Sequence, residues 1–185
     1  MDDKQIIDLY WARSESAIAE TDKKYGKLCH RIAFNILADP RDSEECVSDT
    51  YLKAWSVIPP KRPVKLSAFL GKITRNLALN RYEKDTAGKR GGGEVSVALD
   101  ELAECIGTNE NPETAVEQEE LVRAVRRLLE KLPVRDRNVF VRRYFFMDST
   151  ADIAARFALK ESNVLMILSR VRSKLRMQLI KEGYV

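Results

Sequence analysis

The chain has 185 residues, 44% of them hydrophobic and 32% charged, so it can bury one large core or two small ones and is not an intrinsically disordered chain. Its net charge of +4 is unevenly spread, with 14 basic and 12 acidic residues up to Glu83, 3 and 10 from Lys84 to Glu120, and 15 and 6 from Leu121 onward. A near-neutral front, an acidic middle and a basic end suit different partners for each part, and no apolar run approaches the length of a membrane-spanning helix.

Almost everything reads as helix. Residues 3 to 12 pattern as a short amphipathic helix through Ile6, Leu9 and Tyr10, and Ser14 or Ser16 can cap a longer one reaching Leu37. Asp39 and Pro40 break it. A third helix runs from about Asp42 to Val57, with Val47, Tyr51, Ala54 and Trp55 inward and Glu44, Glu45, Ser48 and Asp49 outward. Pro59, Pro60 and Pro63 then hold an extended loop carrying Lys61, Arg62 and Lys65. Ser67 starts the next helix, whose apolar set is Leu70, Ile73, Leu77 and Tyr82.

After Glu83 the periodicity dissolves. Gly91, Gly92 and Gly93 read as a hinge, and the acidic stretch to Asn111 reads as a linker. Regular structure resumes at Pro112. Leu121, Val122, Val125, Leu128, Leu129 and Leu132 form a helical stripe ended by Pro133, and Val139, Phe140, Tyr144 and Phe145 form a second. The expected fold is all-α: two small helical domains over residues 1–84 and 113–185, joined by a flexible acidic linker over residues 85–112.

The last segment is the most informative. Ser149 and Asp152 make a start resembling a capping box for a short helix with Ile153, Ala154 and Phe157 on one face. A second helix from about Ser162 places Val164, Leu168, Val171, Leu175 and Leu179 on one stripe. Two short helices with a tight turn at Ala158 form a helix-turn-helix, a unit that places one helix in the DNA major groove. The face opposite the stripe carries Ser162, Asn163, Met166, Ser169, Arg170, Ser173 and Met177, flanked by Leu165 and Ile167. It is poor in charge for a DNA reader, and an ordinary helical hairpin in a core is the competing account.

No chemistry of bond making is legible. Cys29, Cys46 and Cys105 form no CxxC pair and stand with one histidine, His30, so no metal site is expected. Cys29 and Cys46 read as small buried thiols. There is no paired catalytic constellation, and no Lys-Ser or Lys-Thr follows the glycines to make a phosphate loop. The expectation is a protein without catalytic residues or cofactor, cytoplasmic and reduced, since Asp2, Asp3 and Asp8 do not make a signal peptide.

Three stretches carry a family resemblance. The segment from Asp39 to Trp55, ending in Thr50, Tyr51, Leu52, Lys53, Ala54 and Trp55, and the segment from Leu66 to Asn80, with Ile73, Arg75 and Asn76 at its centre, precede a third block. That block comprises Leu132 to Arg137, Arg143 with Tyr144, Ile153 with Ala154, and Arg170 with Arg172. In this order the chain resembles the sigma-70 family of bacterial RNA polymerase sigma factors, of the compact extracytoplasmic-function type with only a second and a fourth region. The sequence departs from the family where Phe69 replaces a tryptophan, Asn80 an aspartate, Ala158 a glycine, and Leu165 and Ile167 basic residues.

The resemblance implies a mechanism without catalysis, in which the protein lends promoter recognition to the polymerase. Glu44, Glu45, Ser48, Asp49, Leu52 and Lys53 would meet basic helices of the polymerase clamp, with the polymerase flap as a second core contact. Lys61, Arg62, Lys65, Lys72, Arg75, Asn76, Asn80 and Arg81 would engage the minus-10 element as it melts. Lys160, Ser162, Asn163, Leu165, Met166, Ser169 and Arg170 would read the minus-35 element, Leu165 and Met166 packing on thymine methyls. The acidic residues Asp100, Glu101, Glu104, Glu110, Glu113, Glu117, Glu119 and Glu120 would thread the RNA channel as a transcript mimic, or serve as a solvated spacer. Expected partners are polymerase core, promoter DNA and an anti-sigma factor, without direct membrane insertion. A competing protein contact for Leu165, Met166 and Ile167 stays open, as does a second function, a stand-alone helix-turn-helix regulator binding operator DNA as a dimer.

Overall fold

The computed structural model describes residues 1–86, 93–106 and 115–184, which form two units, Met1–Gly91 and Gly92–Val185. Among the described residues no helix is long and apolar enough to cross a membrane.

The first unit contains α1 (Asp3–Trp11), α2 (Ser16–Leu37), α3 (Pro40–Val57) and α4 (Leu66–Thr86). Caps set their starts. Asp2 and Gln5 close a reciprocal capping box on α1, and Asp39 accepts from the Asp42 amide while Pro40 occupies the first turn of α3. Helices α2, α3 and α4 pack on one another, and α1 packs on α2. The core gathers Ile6, Ile7, Tyr10, Ala17, Cys29, Val47, Tyr51, Ala54, Ile58, Leu66 and Leu70. Asp3 ties three helices together, accepting from Lys24 Nζ at 2.6 Å, Tyr25 OH at 2.5 Å and the Leu66 amide at 3.2 Å.

The inward face of α4 differs from the expected one. Leu66, Leu70, Gly71, Thr74 and Ala78 are buried, while Ile73, Leu77 and Tyr82 are half-buried. Thr74 belongs to the core stripe because its hydroxyl is satisfied there. It donates to the Leu70 carbonyl at 2.9 Å and accepts from Thr50 Oγ1 at 3.1 Å, and buried polar groups are tolerated when so paired. On α3, Ser43, Cys46 and Thr50 join Val47, Tyr51 and Ala54 inside, and Trp55 is half-buried.

The second unit contains α5 (Glu94–Ile106), α6 (Ala115–Lys131), α7 (Val134–Tyr144), α8 (Thr150–Phe157) and α9 (Glu161–Lys181). Helix α9 is its spine, contacted by the other four. The predicted stripe is buried throughout, with Val164, Leu168, Leu175 and Leu179 at 0% exposure and Val171 at 1%. Burying each such side chain stabilises by about 1.5–3 kcal/mol, so this stripe alone anchors the unit. Ile153, Ala154, Val139, Phe140 and Tyr144 pack around it, whereas Val122, expected in the α6 stripe, is exposed and Ala124 takes the buried position. The turn between α8 and α9 places Ala158 in the left-handed region at φ 52°, and the Leu159 amide donates to the Ala154 carbonyl at 2.9 Å, the six-to-one bond of a Schellman closure.

Helix α5 lies within the stretch expected to be a flexible acidic linker, 85–112. Val95, Ala98 and Cys105 are buried, and two of the carboxylates on α5, Glu94 and Glu101, are paired with arginines of the same unit. Glu94 accepts from Arg143 Nη1 at 2.6 Å, and Glu101 Oε2 accepts from Tyr144 OH at 2.8 Å and Arg172 Nη1 at 3.2 Å. The Glu104 carbonyl accepts from Arg176. These residues looked like a solvated acidic run because their partners lie far along the chain. Glu110 and Glu113 lie outside the described residues, and the side chains of Glu117 and Glu119 are likewise outside them.

Candidate nucleic-acid interface

Three surfaces collect the residues expected from sequence. On α9, the stripe that faces the core leaves Ser162, Asn163, Leu165, Met166, Ser169 and Arg170 exposed, with Lys160 exposed at the helix start. Leu165 is 49% and Met166 62% exposed, so two apolar side chains sit openly at the head of the helix. Ile167 does not join them. At 5% exposure it packs inward, because a wide core stripe on a central helix takes in the positions flanking its axis. The helix-turn-helix is held by Ser149 Oγ, which accepts from the Asp152 amide at 3.1 Å, and by Thr150, whose hydroxyl donates to Glu161 across the turn.

Arg170 and Arg172 of α9 have separate environments. Arg170 is half-exposed and pairs with the nearly buried Asp136 of α7, Nη2 to Oδ2 at 2.7 Å. That contact positions the guanidinium at the edge of the exposed face. Arg172 points instead to Tyr144 OH at 2.6 Å and to Glu101, and so locks α9 to α7 and α5. Arg143, 2% exposed, and Asp148, at 0%, complete a buried ionic cluster with Arg142. Buried charges of this kind require pairing, and they explain why this unit carries basic residues that no ligand could reach.

In the first unit, the acidic face expected on α3 is present as one surface. Glu44, Glu45, Ser48, Asp49, Leu52 and Lys53 are all exposed, Leu52 by 62%. The groove between α2 and α3 runs along it, with Lys23, Lys27 and Arg31 on one wall and Glu44 on the other.

The residues expected at the minus-10 element divide into two groups. Lys61, Arg62 and Lys65 on the loop, and Lys72, Asn76 and Asn80 along α4, are exposed. Arg75 is half-buried, and burial lowers its pKa. Arg81 lies on the acidic side, its Nη2 at 2.9 Å from both Glu45 Oε2 and Asp42 Oδ1, and the hydrogen bond it donates to Glu45 raises its pKa. Phe69, which takes the place of the family's tryptophan, packs against the core.

Sequence reasoning passed over the end of α1. Trp11 is exposed beside Arg62, and Arg13 reaches both the ring and the carbonyl of Trp55. The available signal was an aromatic residue off the apolar stripe of Ile6, Leu9 and Tyr10. Among the described residues no group of histidine, cysteine and carboxylate side chains is arranged to hold a metal ion. All three cysteines are free and buried, and burial pushes the Cys46 thiol up to about 11.

Comparison with known families reports on both units. Residues 22–87 match the family model for sigma-70 region 2, and residues 122–175 match that for sigma-70 region 4. No curated protein sequence matches the chain directly.

Proposed function

The chain belongs to the sigma-70 family, carrying the region 2 and region 4 pair typical of its extracytoplasmic-function members, which direct RNA polymerase to promoters, and from that premise we propose a division of labour among its surfaces. Its partners are polymerase core and promoter DNA. The exposed face of α3, from Glu44 to Lys53, binds the polymerase clamp. The loop at 59–65 and the exposed side of α4, with Lys72, Asn76 and Asn80, bind the minus-10 element as it opens. The head of α9 reads the minus-35 element.

The observation that carries this reading is the exposed acidic surface of α3 inside a region 2 domain. Six residues of one face, carrying three carboxylates, are left without burial on a helix whose other faces are packed. A carboxylate row of this kind suits a guanidinium-rich partner, and its long-range attraction speeds association. For α9, Leu165 and Met166 suit thymine methyl groups while Lys160, Asn163 and Arg170 offer polar contacts. The polymerase supplies the remaining affinity, so a charge-poor reading face suffices.

The double variant Glu45→Arg, Asp49→Arg tests the assignment in a pull-down with polymerase core and in run-off transcription. Loss of core association at unchanged helix content is expected, while retained association would remove the clamp role. Tight operator binding by the lone protein, with no polymerase association, would instead support a self-sufficient regulator. Leu165→Lys tests the reading face. Stronger promoter binding is expected from an added groove cation, whereas unchanged promoter affinity with loss of a protein partner would move Leu165 and Met166 to an anti-sigma interface.

A further inference from the structure

Helix α5 lies against a flank of α9 that continues one edge of the reading face. Arg172 follows Leu165, and Arg176 follows Ser169, by about two helical turns, so these four residues share one side of α9. Leu165, Ser169 and Arg176 are exposed and Arg172 is half-buried. Helix α5 packs on α9 and α7, and its 13 residues carry the carboxylates Glu94, Asp100, Glu101 and Glu104 with no basic side chain among them. Glu101 Oε2 accepts from Arg172 Nη1 at 3.2 Å, and the Glu104 carbonyl accepts from Arg176 Nη1. Glu94 holds Arg143 of α7 at 2.6 Å, so no ligand reaches that guanidinium while α5 is docked. The apolar part of this contact is small, since α5 buries only Val95, Ala98 and Cys105.

We infer that Arg172 and Arg176 are a phosphate-binding extension of the DNA face of α9, and that α5 occupies them in the free protein and is displaced by the duplex backbone. The chemistry of the exchange is matched. A guanidinium that accepts a carboxylate accepts a phosphate oxygen with the same geometry, and the phosphate chain brings the higher charge density. The docked helix is also placed to oppose DNA. A duplex lying along Leu165 and Ser169 would bring its phosphates toward Glu101 and Glu104, where like charges repel. Release is within reach because ion pairs carry much of the contact, and the Glu94 side chain is 60% exposed, so salt and competing anions weaken it. Helix α5 ends at Ile106, before the region 4 match begins at residue 122, so the occupant is an addition of this chain to the matched domain.

The inference rests on the reading of α9 as the DNA-facing helix, and the test keeps the two apart. The full chain, without polymerase, is titrated by fluorescence anisotropy with a labelled duplex of about 20 base pairs that holds no promoter element, at about 50 and 200 mM salt. Glu94→Gln with Glu101→Gln loosens α5. Two added phosphate contacts steepen the salt slope by about 1.8, so this variant should gain about tenfold more affinity than the unaltered chain on going from the higher salt to the lower. Asp100→Asn removes a charge from the exposed side of α5 and should leave the slope unchanged. Adding Arg172→Ala and Arg176→Ala to the loosened variant should abolish the gain, which a merely structural role for α5 would not produce. In the unaltered chain Cys105 reports undocking, because it is buried under α5 with its Sγ 3.3 Å from the Arg172 carbonyl. Duplex should speed its alkylation by iodoacetamide, mapped by mass spectrometry, while Cys29 and Cys46 in the first unit stay protected. No gain in the loosened variant, an equal gain in Asp100→Asn, a gain that survives loss of both arginines, or Cys105 alkylation no faster with duplex would each overturn the inference. Asn163→Ala reports on the reading face separately, through promoter discrimination with polymerase present. If it changes discrimination while the α5 variants gain nothing, the minus-35 reading stands and the masked phosphate face fails.

Discussion

The turn of the helix-turn-helix is strained, and the strain can be removed without touching a contact. Ala158 adopts φ 52° and ψ 44°, where the Cβ of an L-residue crowds the following carbonyl at a cost of about 1–2 kcal/mol. Its side chain is exposed, so deleting the methyl group loses little packing, and the Leu159 to Ala154 bond that closes the turn involves backbone alone. Ala158→Gly relieves the strain, and the greater freedom of glycine in the unfolded chain offsets about 0.4–1 kcal/mol of that gain. The net stabilisation is about 0.5–1 kcal/mol, which in a unit of this size raises the midpoint by about 3–6 °C. Thermal unfolding followed by circular dichroism measures it, with promoter binding as the check that α9 keeps its orientation. Ala38, at φ 55° after α2, repeats the geometry in the first unit, and Ala38→Gly should behave alike. A midpoint that fails to rise in either variant would refute the account of these turns as strained.

Three further outcomes are expected. Thr74→Val should cost about 1 kcal/mol in denaturant unfolding because it removes the hydrogen bond from Thr50 across the α3–α4 interface and leaves the Thr50 hydroxyl only its bond to the Cys46 carbonyl, whereas Thr50→Val, Thr74→Val together should cost less than the sum; strict additivity would refute the pairing. Asp3 lies below its ordinary pKa of 3.8, since burial raises it but the hydrogen bonds from Lys24, Tyr25 and the Leu66 amide outweigh that effect. A depressed carboxylate stabilises the fold above its unfolded pKa and loses this contribution as the pH falls through the lowered value, so Asp3→Asn should flatten the acid side of the stability profile below pH about 4. An acid profile matching that of the unaltered protein would contradict this. Arg170→Ala should weaken promoter binding and lower the slope of log affinity against log salt by about 0.9, the counterion released per phosphate contact; an unchanged slope would assign Arg170 wholly to its pair with Asp136.

Local chemistry made much of this protein legible in one dimension. The Val164 to Leu179 stripe, the Ser149 cap, the Asp39 and Pro40 break and the outward row on α3 all follow from spacing and capping. Such features depend on residues within a few positions of each other, where helix geometry leaves little choice. The order of the second and fourth regions followed from the family resemblance, and residues 22–87 and 122–175 match the two family models in that order.

Tertiary structure decided what depends on partners far along the chain. Thr74 lies in a core stripe with its hydroxyl bonded to the Leu70 carbonyl of its own helix and met across the core by Thr50, 24 residues earlier. Glu94 and Glu101 lie on a docked helix because Arg143 and Arg172 receive them 49 and 71 residues away. Ile167 faces inward because α9 is contacted by four helices, a fact that its own periodicity does not contain. Trp11 meets Arg62 only once α1 is packed beside the proline loop. Hydrophobic spacing states which face of a helix avoids water; which charge meets which, and which aromatic ring stays in the open, is set by packing between distant segments.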